Sequence, residues 1–112
     1  MPDETQDLVF SISVKNDVNR LIAGLVGTIY WNGLEIDTLW VEDHYQKQGI
    51  GSKLLHQAEQ LAIEHGVVVA FLKTVEAKDF YQKSGYEVYG TLEDRPIGSL
   101  LFHMKKRIKV IP

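Results

Sequence analysis

The hydrophobic pattern changes period along the chain, and the change separates a strand-rich first part from a mixed second part. Leu8, Phe10, Ile12 and Val14 alternate with Val9, Ser11 and Ser13, the two-residue repeat of a strand. Asn16-Asp17-Val18-Asn19 has turn composition. A β-rich run from Arg20 to Trp31 follows, interrupted by Gly24 and Gly27, where a bulge or a close backbone contact is expected. Asn32-Gly33 is a hairpin signal, and Leu34 to Val41 is the next strand. These three strands predict an antiparallel meander. From Gly49 to His65 the period lengthens: Ile50, Leu54, Leu55, Ala58, Leu61 and Ala62 fall on one helical face. Gly66 is suited to end that helix. Val67 to Leu72 is a continuous apolar run, the pattern of a strand buried on both faces. Glu76 to Ser84 predicts a short helix with Ala77, Phe80, Tyr81 and Ser84 on one side. Tyr86 to Gly90 and Ser99 to Ile108 predict two last strands around a polar loop with Arg95-Pro96.

The predicted order is β-β-β-α-β-α-β-β. The strand at 34–41, the helix at 49–65 and the strand at 67–72 form a β-α-β unit whose strands should run parallel. This is a single mixed α/β domain over 8–112, preceded by a flexible polar leader at 1–7. The length of 112 residues and hydrophobic fraction of 45% fit one folded domain with a modest core.

Between the third strand and the first helix lies Tyr45-Gln46-Lys47-Gln48-Gly49-Ile50-Gly51-Ser52. Glycines at 49 and 51 admit a ligand close to the backbone, and a helix start supplies unpaired N–H groups and a positive dipole end. Together they make an anion site suited to a phosphate. The loop sits at the C-terminal end of a parallel strand, where open α/β sheets tend to bind ligands.

Charge and composition narrow the chemistry. Net charge is −3, with bases gathered at Lys105, Lys106, Arg107 and Lys109. In an acidic domain without a nucleic-acid motif these predict a solvated terminal strand, not a nucleic-acid surface. The absence of cysteine excludes disulfides, thiolate metal sites and a cysteine nucleophile. His44, His56, His65 and His103 lack metal-ligand spacing, so no metal is expected. No signal peptide and no apolar run of about 18 residues is present, which predicts a cytoplasmic protein with no membrane partner.

The segment Gln46-Lys47-Gln48-Gly49-Ile50-Gly51 resembles the Gln/Arg-x-x-Gly-x-Gly/Ala signature of the GNAT superfamily of N-acetyltransferases. Ala77-Lys78-Asp79-Phe80-Tyr81-Gln82-Lys83-Ser84-Gly85-Tyr86 is similar to a second pattern of that family, Ala-x-x-Phe-Tyr-x-x-x-Gly-Phe/Tyr. The two occur in the family's order around a buried strand, and the resemblance runs from about residue 8 to residue 108. It implies acetyl-CoA as the donor and an amine as the acceptor, with direct attack in a ternary complex. The pyrophosphate would lie on the backbone from Gln48 to Ser52, with Gln46 and Lys47 adding side-chain donors. The pantetheine arm would pair with the strand at Leu39, Trp40 and Val41, and the amide near Leu39 would polarise the thioester carbonyl.

Tyr81 matches the tyrosine that many members place near the sulfur. A phenol of pKa about 10 can protonate a thiolate of pKa about 8.5. Packing beside Ala77 and Phe80 is the other role open to it. For the base, Glu35 and Asp37 alternate on one strand face. Glu35 stands 11 residues before Gln46, where some members carry a general-base glutamate. Solvated strand carboxylates are the alternative.

Two departures accompany the match. Before Leu8 there is no room for the strand and two helices with which the family usually begins, and Thr74 stands where many members have Asn. A catalytically inactive acyl-CoA-binding or regulatory module, or a generic nucleotide-phosphate binder, is therefore an alternative. The short start also leads to the expectation of a homodimer that covers the exposed sheet. The acceptor is not readable from the sequence.

Overall fold

The computed structural model describes residues 7–109, so all of the polar leader but Asp7 lies outside the described residues. Three strands open the fold, β1 (Leu8–Lys15), β2 (Leu21–Tyr30) and β3 (Gly33–Val41). Helix α1 (Ile50–Glu64), strand β4 (Val69–Thr74) and helix α2 (Lys78–Lys83) follow, then β5 (Glu87–Glu93) and β6 (Leu100–Arg107). The strands make one six-stranded sheet in the order β1-β2-β3-β4-β6-β5. β3 and β4 pair in parallel, as their connection through α1 requires, and the other neighbours are antiparallel.

The β2–β3 corner is one residue earlier than Asn32-Gly33 indicates. Trp31 takes the positive φ of +53° and Gly33 already pairs with Tyr30. An added Cβ on Gly33 would meet the Phe71 ring at 3.0 Å, so the glycine is needed for close approach in the strand. The bulge expected near the β2 glycines occurs between Val26 and Gly27, but the extra residue is on β3. Val26 pairs with Thr38 and Gly27 with Ile36, which leaves Asp37 unmatched.

Both helices pack on one face of the sheet. The register places Leu25, Leu34, Ile36, Ala70, Leu72 and Met104 on that face, where they join Leu54, Leu55, Ala58, Ala62, Tyr81 and Tyr86 in one buried cluster. Full burial of Leu54 and Leu55 contributes roughly 1.5–3 kcal/mol each. Helix α1 ends as predicted: Gly66 has φ +84°, and the amide of Val67 donates back to the Ala62 carbonyl at 3.0 Å. That bond uses Val67 in the helix end, so β4 begins two residues later than the apolar run. Nor is β4 buried on both sides. Ala70 and Leu72 are buried, whereas Val69, Phe71 and Lys73 are partly or fully exposed on the face without helices.

Candidate active site

The parallel pairing of β3 with β4 stops at Ile36 and Leu72. Beyond this point β3 is bonded only to β2, and the bulge at Asp37 bends it away from β4. The sheet is thus split at its centre. Two cavities open at the split, one toward the helices and one passing between the strands.

The larger cavity, about 540 Å³, is bounded by Leu39, Trp40 and Val41 on β3, by the loop into α1, and by Ala77, Phe80 and Tyr81 on α2. Its loop wall contains Tyr45, Gln46, Lys47, Gly49, Ile50, Gly51 and Ser52. Gly49 takes φ +82° immediately before the helix, a left-handed conformation that favours glycine. The first helical bond runs from the Lys53 amide to the Gly49 carbonyl at 3.0 Å. The amides of Ile50, Gly51 and Ser52 therefore have no helical acceptor, and no side chain caps them and no acidic residue sits in the first turn. This arrangement is built to receive an anion.

Gln46 Nε2 donates to the Val41 carbonyl at 3.0 Å and to Asp43 Oδ1 at 3.3 Å. Its side chain braces the loop against the end of β3. Of the ten residues expected around a cofactor, Gln48 is the one that does not line this cavity. Its Nε2 instead donates to the His44 carbonyl at 3.4 Å. Tyr45, Ala77 and Phe80 line the cavity and were not among those ten. Phe80 reaches within 3.5 Å of where a Cβ on Gly51 would stand, so α2 seals the loop from behind.

The smaller cavity, about 250 Å³, lies between Ile36, Asp37, Thr38 and Leu39 on one side and Lys73, Thr74, Ala77 and Tyr81 on the other. The two cavities share Leu39, Ala77 and Tyr81. A ligand in each would meet there.

Tyr81 is 7% exposed and is held edge-on between Phe80 and Tyr86, with ring centroids 5.0 and 5.8 Å away. Burial pushes its phenol above the ordinary tyrosine pKa, which favours the protonated form. Its hydroxyl has no protein partner among the described residues, so it is available to a ligand. Thr74 accepts the Ala77 amide on Oγ1 at 3.0 Å and closes the turn into α2.

The two strand carboxylates separate. Asp37 lines the smaller cavity, and its Oδ2 accepts from Thr28 Oγ1 at 2.6 Å. Glu35 lines neither cavity. It lies near the Tyr30 hydroxyl at 3.5 Å, and it helps burial raise the Tyr30 pKa. Among the described residues, no three His, Asp or Glu side chains gather as a metal site. No helix among them is long and apolar enough to cross a membrane.

A split parallel pair with an anion-binding helix start beside it is the architecture of an acyl-CoA-dependent acetyltransferase. Comparison with known proteins bears this out. The acetyltransferase (GNAT) domain family matches residues 9–88, and the chain belongs to that family. It is 33% identical to the blasticidin-S acetyltransferase of Streptomyces morookaense over 93 residues, covering 80% of this chain and 68% of that one. A crystal structure of an acetyltransferase from Bacillus cereus superposes with a TM-score of 0.89 at 36% identity, over 96% of this chain and 79% of the other. The PaiA N-acetyltransferase of Thermoplasma acidophilum, solved with coenzyme A, superposes with a TM-score of 0.74 at 25% identity, over 88% and 60%. The protein is a GNAT-type N-acetyltransferase.

Proposed function

We propose that this protein transfers the acetyl group of acetyl-CoA to the amine of a small molecule, by direct attack with both substrates bound. The observation that carries this reading is the meeting of the two cavities at Leu39, Ala77 and Tyr81. One cavity offers free amides for a pyrophosphate and the other offers a carboxylate for an amine. The likeness to a blasticidin-S acetyltransferase supports a small-molecule acceptor. Coenzyme A bound to the Thermoplasma relative supports the donor.

The amides of Ile50, Gly51 and Ser52, with Lys47 beside them, hold the pyrophosphate. The unpaired edge of β3 at Leu39–Val41 pairs with the amides of the pantetheine arm. A β3 amide near Leu39 donates to the thioester oxygen and stabilises the charge that develops on it. The acceptor nitrogen bonds to the carbonyl carbon while the carbon–sulfur bond breaks. Asp37, directly or through one water, takes the proton that the amine loses. Tyr81 gives its proton to the departing thiolate and regains one from solvent. With no cysteine in the chain, no acyl-cysteine step is available.

The deciding experiment is calorimetric titration with acetyl-CoA of the wild type and a Gly49→Glu variant, followed by thiol release against a panel of amines. The expected result is micromolar binding by the wild type, none by the variant, and turnover with some amines. No binding by the wild type overturns the reading. Binding without turnover favours an inactive acyl-CoA-binding module.

A cytoplasmic homodimer is part of this reading. Val9, Trp40 and Leu92 are exposed on the sheet face that the helices leave open, which supports association there. A monomer mass by light scattering at tens of micromolar overturns the dimer, and fractionation of cells tests the location.

A further inference from the structure

The walls of the smaller cavity carry opposite charges that do not meet. Asp37 stands on the β3 side and Lys73 on the β4 side of the same space of about 250 Å³. Among the described residues, neither takes part in an ion pair within 4.0 Å. Strand geometry explains why. Ile36 and Leu72 are the last paired residues of the parallel strands, so Asp37 and Lys73 are the first on either side of the split. The split holds the charges apart in place of a cross-strand bond between them.

Each charge has a reason to stay where it is. Thr28 donates to Asp37 Oδ2 at 2.6 Å and fixes the carboxylate, with Oδ1 left for another donor. Lys73 lies on the face without helices and pairs in register with His103 on β6. Lys105 and Arg107 follow on the same face of β6, opposite Phe71 and Val69. The β4–β6 side of the opening is therefore basic, and the β3 side, with Glu35 two residues before Asp37, is acidic.

We infer that the acceptor is a small zwitterionic amine of the amino-acid type, whose amine faces Asp37 and whose carboxylate faces Lys73. This rests on the acetyltransferase reading of the site and adds the substrate class to it. A wholly cationic amine satisfies Asp37 but leaves Lys73 facing like charge. A simple anion does the reverse, and only a molecule carrying both charges uses both walls. Size agrees, because the cavity is below the roughly 300–1,000 Å³ typical of sites for drug-sized ligands. Tyr81 and Leu39 line both cavities, so an amine at Asp37 lies beside the point where the cavities join.

The test is a rate panel with acetyl-CoA in which each L-α-amino acid is measured beside its methyl ester and its decarboxylated amine. For the best acceptor, the free acid should exceed both relatives in kcat/KM by roughly 10–100-fold, the effect of one hydrogen bond to a charged group. Lys73→Ala should raise KM for the acid by a similar factor and raise kcat/KM for the decarboxylated amine, so that the preference for the acid is lost. Lys73→Glu should reverse the preference toward the decarboxylated amine. Lys73 is exposed, so neither variant removes core packing, and thermal melts check this. Equal or better rates for esters or decarboxylated amines overturn the inference while the transferase reading stands. So does a Lys73→Ala loss that is uniform across the panel. Bound acetyl-CoA with no turnover of any amine overturns the transferase reading itself, and this inference with it.

Discussion

Tyr81 shows how packing and chemistry coincide in one side chain. Its ring packs between Phe80 and Tyr86, and the residue lines both cavities. Tyr81→Phe keeps the packing and removes the proton. It should lower kcat by about 10²-fold or more, the lower range for a general acid, with little change in acetyl-CoA affinity by calorimetry. Because burial raises the Tyr81 pKa, the phenol stays protonated beyond the usual value of about 10. Wild-type kcat should therefore hold its plateau past pH 10, and a fall centred below pH 9 would remove Tyr81 as the donor. Gly49→Ala places a side chain at φ +82° with no atom within 4 Å of it, so its cost is backbone strain, about 1–2 kcal/mol, read as a lower denaturation midpoint. Gly49 and the Gln46–Ser52 loop were legible because glycine spacing beside a period change is a local signal. The difference between Glu35 and Asp37 was not. Period-two alternation treats them alike, and only the bulge opposite Val26 and Gly27 sends Asp37 to the cavity. A register slip of that kind depends on the partner strand.

Helix α1 carries a second kind of information, hidden on its inner face. Glu59, 5% exposed, falls in the apolar stripe beside Leu55 and Ala62. One oxygen accepts the Tyr86 hydroxyl at 2.8 Å and the other accepts Lys106 Nζ at 2.9 Å. The three groups tie α1 to the turn after α2 and to β6. Glu59→Ala leaves both donors without their acceptor. It should cost near the low end of the roughly 3–5 kcal/mol seen for broken buried pairs, since Lys106 is partly exposed; chemical denaturation measures it. Tyr86 adds a pH dependence. Burial, and then the Glu59 charge, hold its phenol far above the ordinary tyrosine value. The unfolded phenol ionises near pH 10. Above that pH the folded state keeps a proton that the unfolded state has released, so stability declines as pH rises. Tyr86→Phe should flatten that decline, and an unchanged slope between pH 9.5 and 11 would contradict the assignment. Sequence periodicity located α1 to within a residue at each end, yet it passed over Glu59. A carboxylate looks like solvent-facing surface until partners 27 and 47 residues away are placed beside it.

At the scale of the whole molecule, the element order and the parallel β-α-β unit could be read from the chain. What failed was the expectation that β4 is buried on both sides. Its apolar run ended in a helix cap at Val67 and in Phe71 on an open face, because both helices pack on the same side of the sheet. β4 is nevertheless paired on both edges. Its amides at Ala70 to Leu72 should be among the slowest to exchange with deuterium, and those of edge strand β1 should exchange sooner. The break between β3 and β4 has a consequence for turnover. In the proposed arrangement donor and acceptor enter from opposite sides of one sheet, so each product has its own exit. Coenzyme A can then depart while the acetylated amine is still seated, and the reverse is equally open. Added coenzyme A should thus compete with acetyl-CoA alone, altering the maximal rate but not the apparent affinity in plots against the amine.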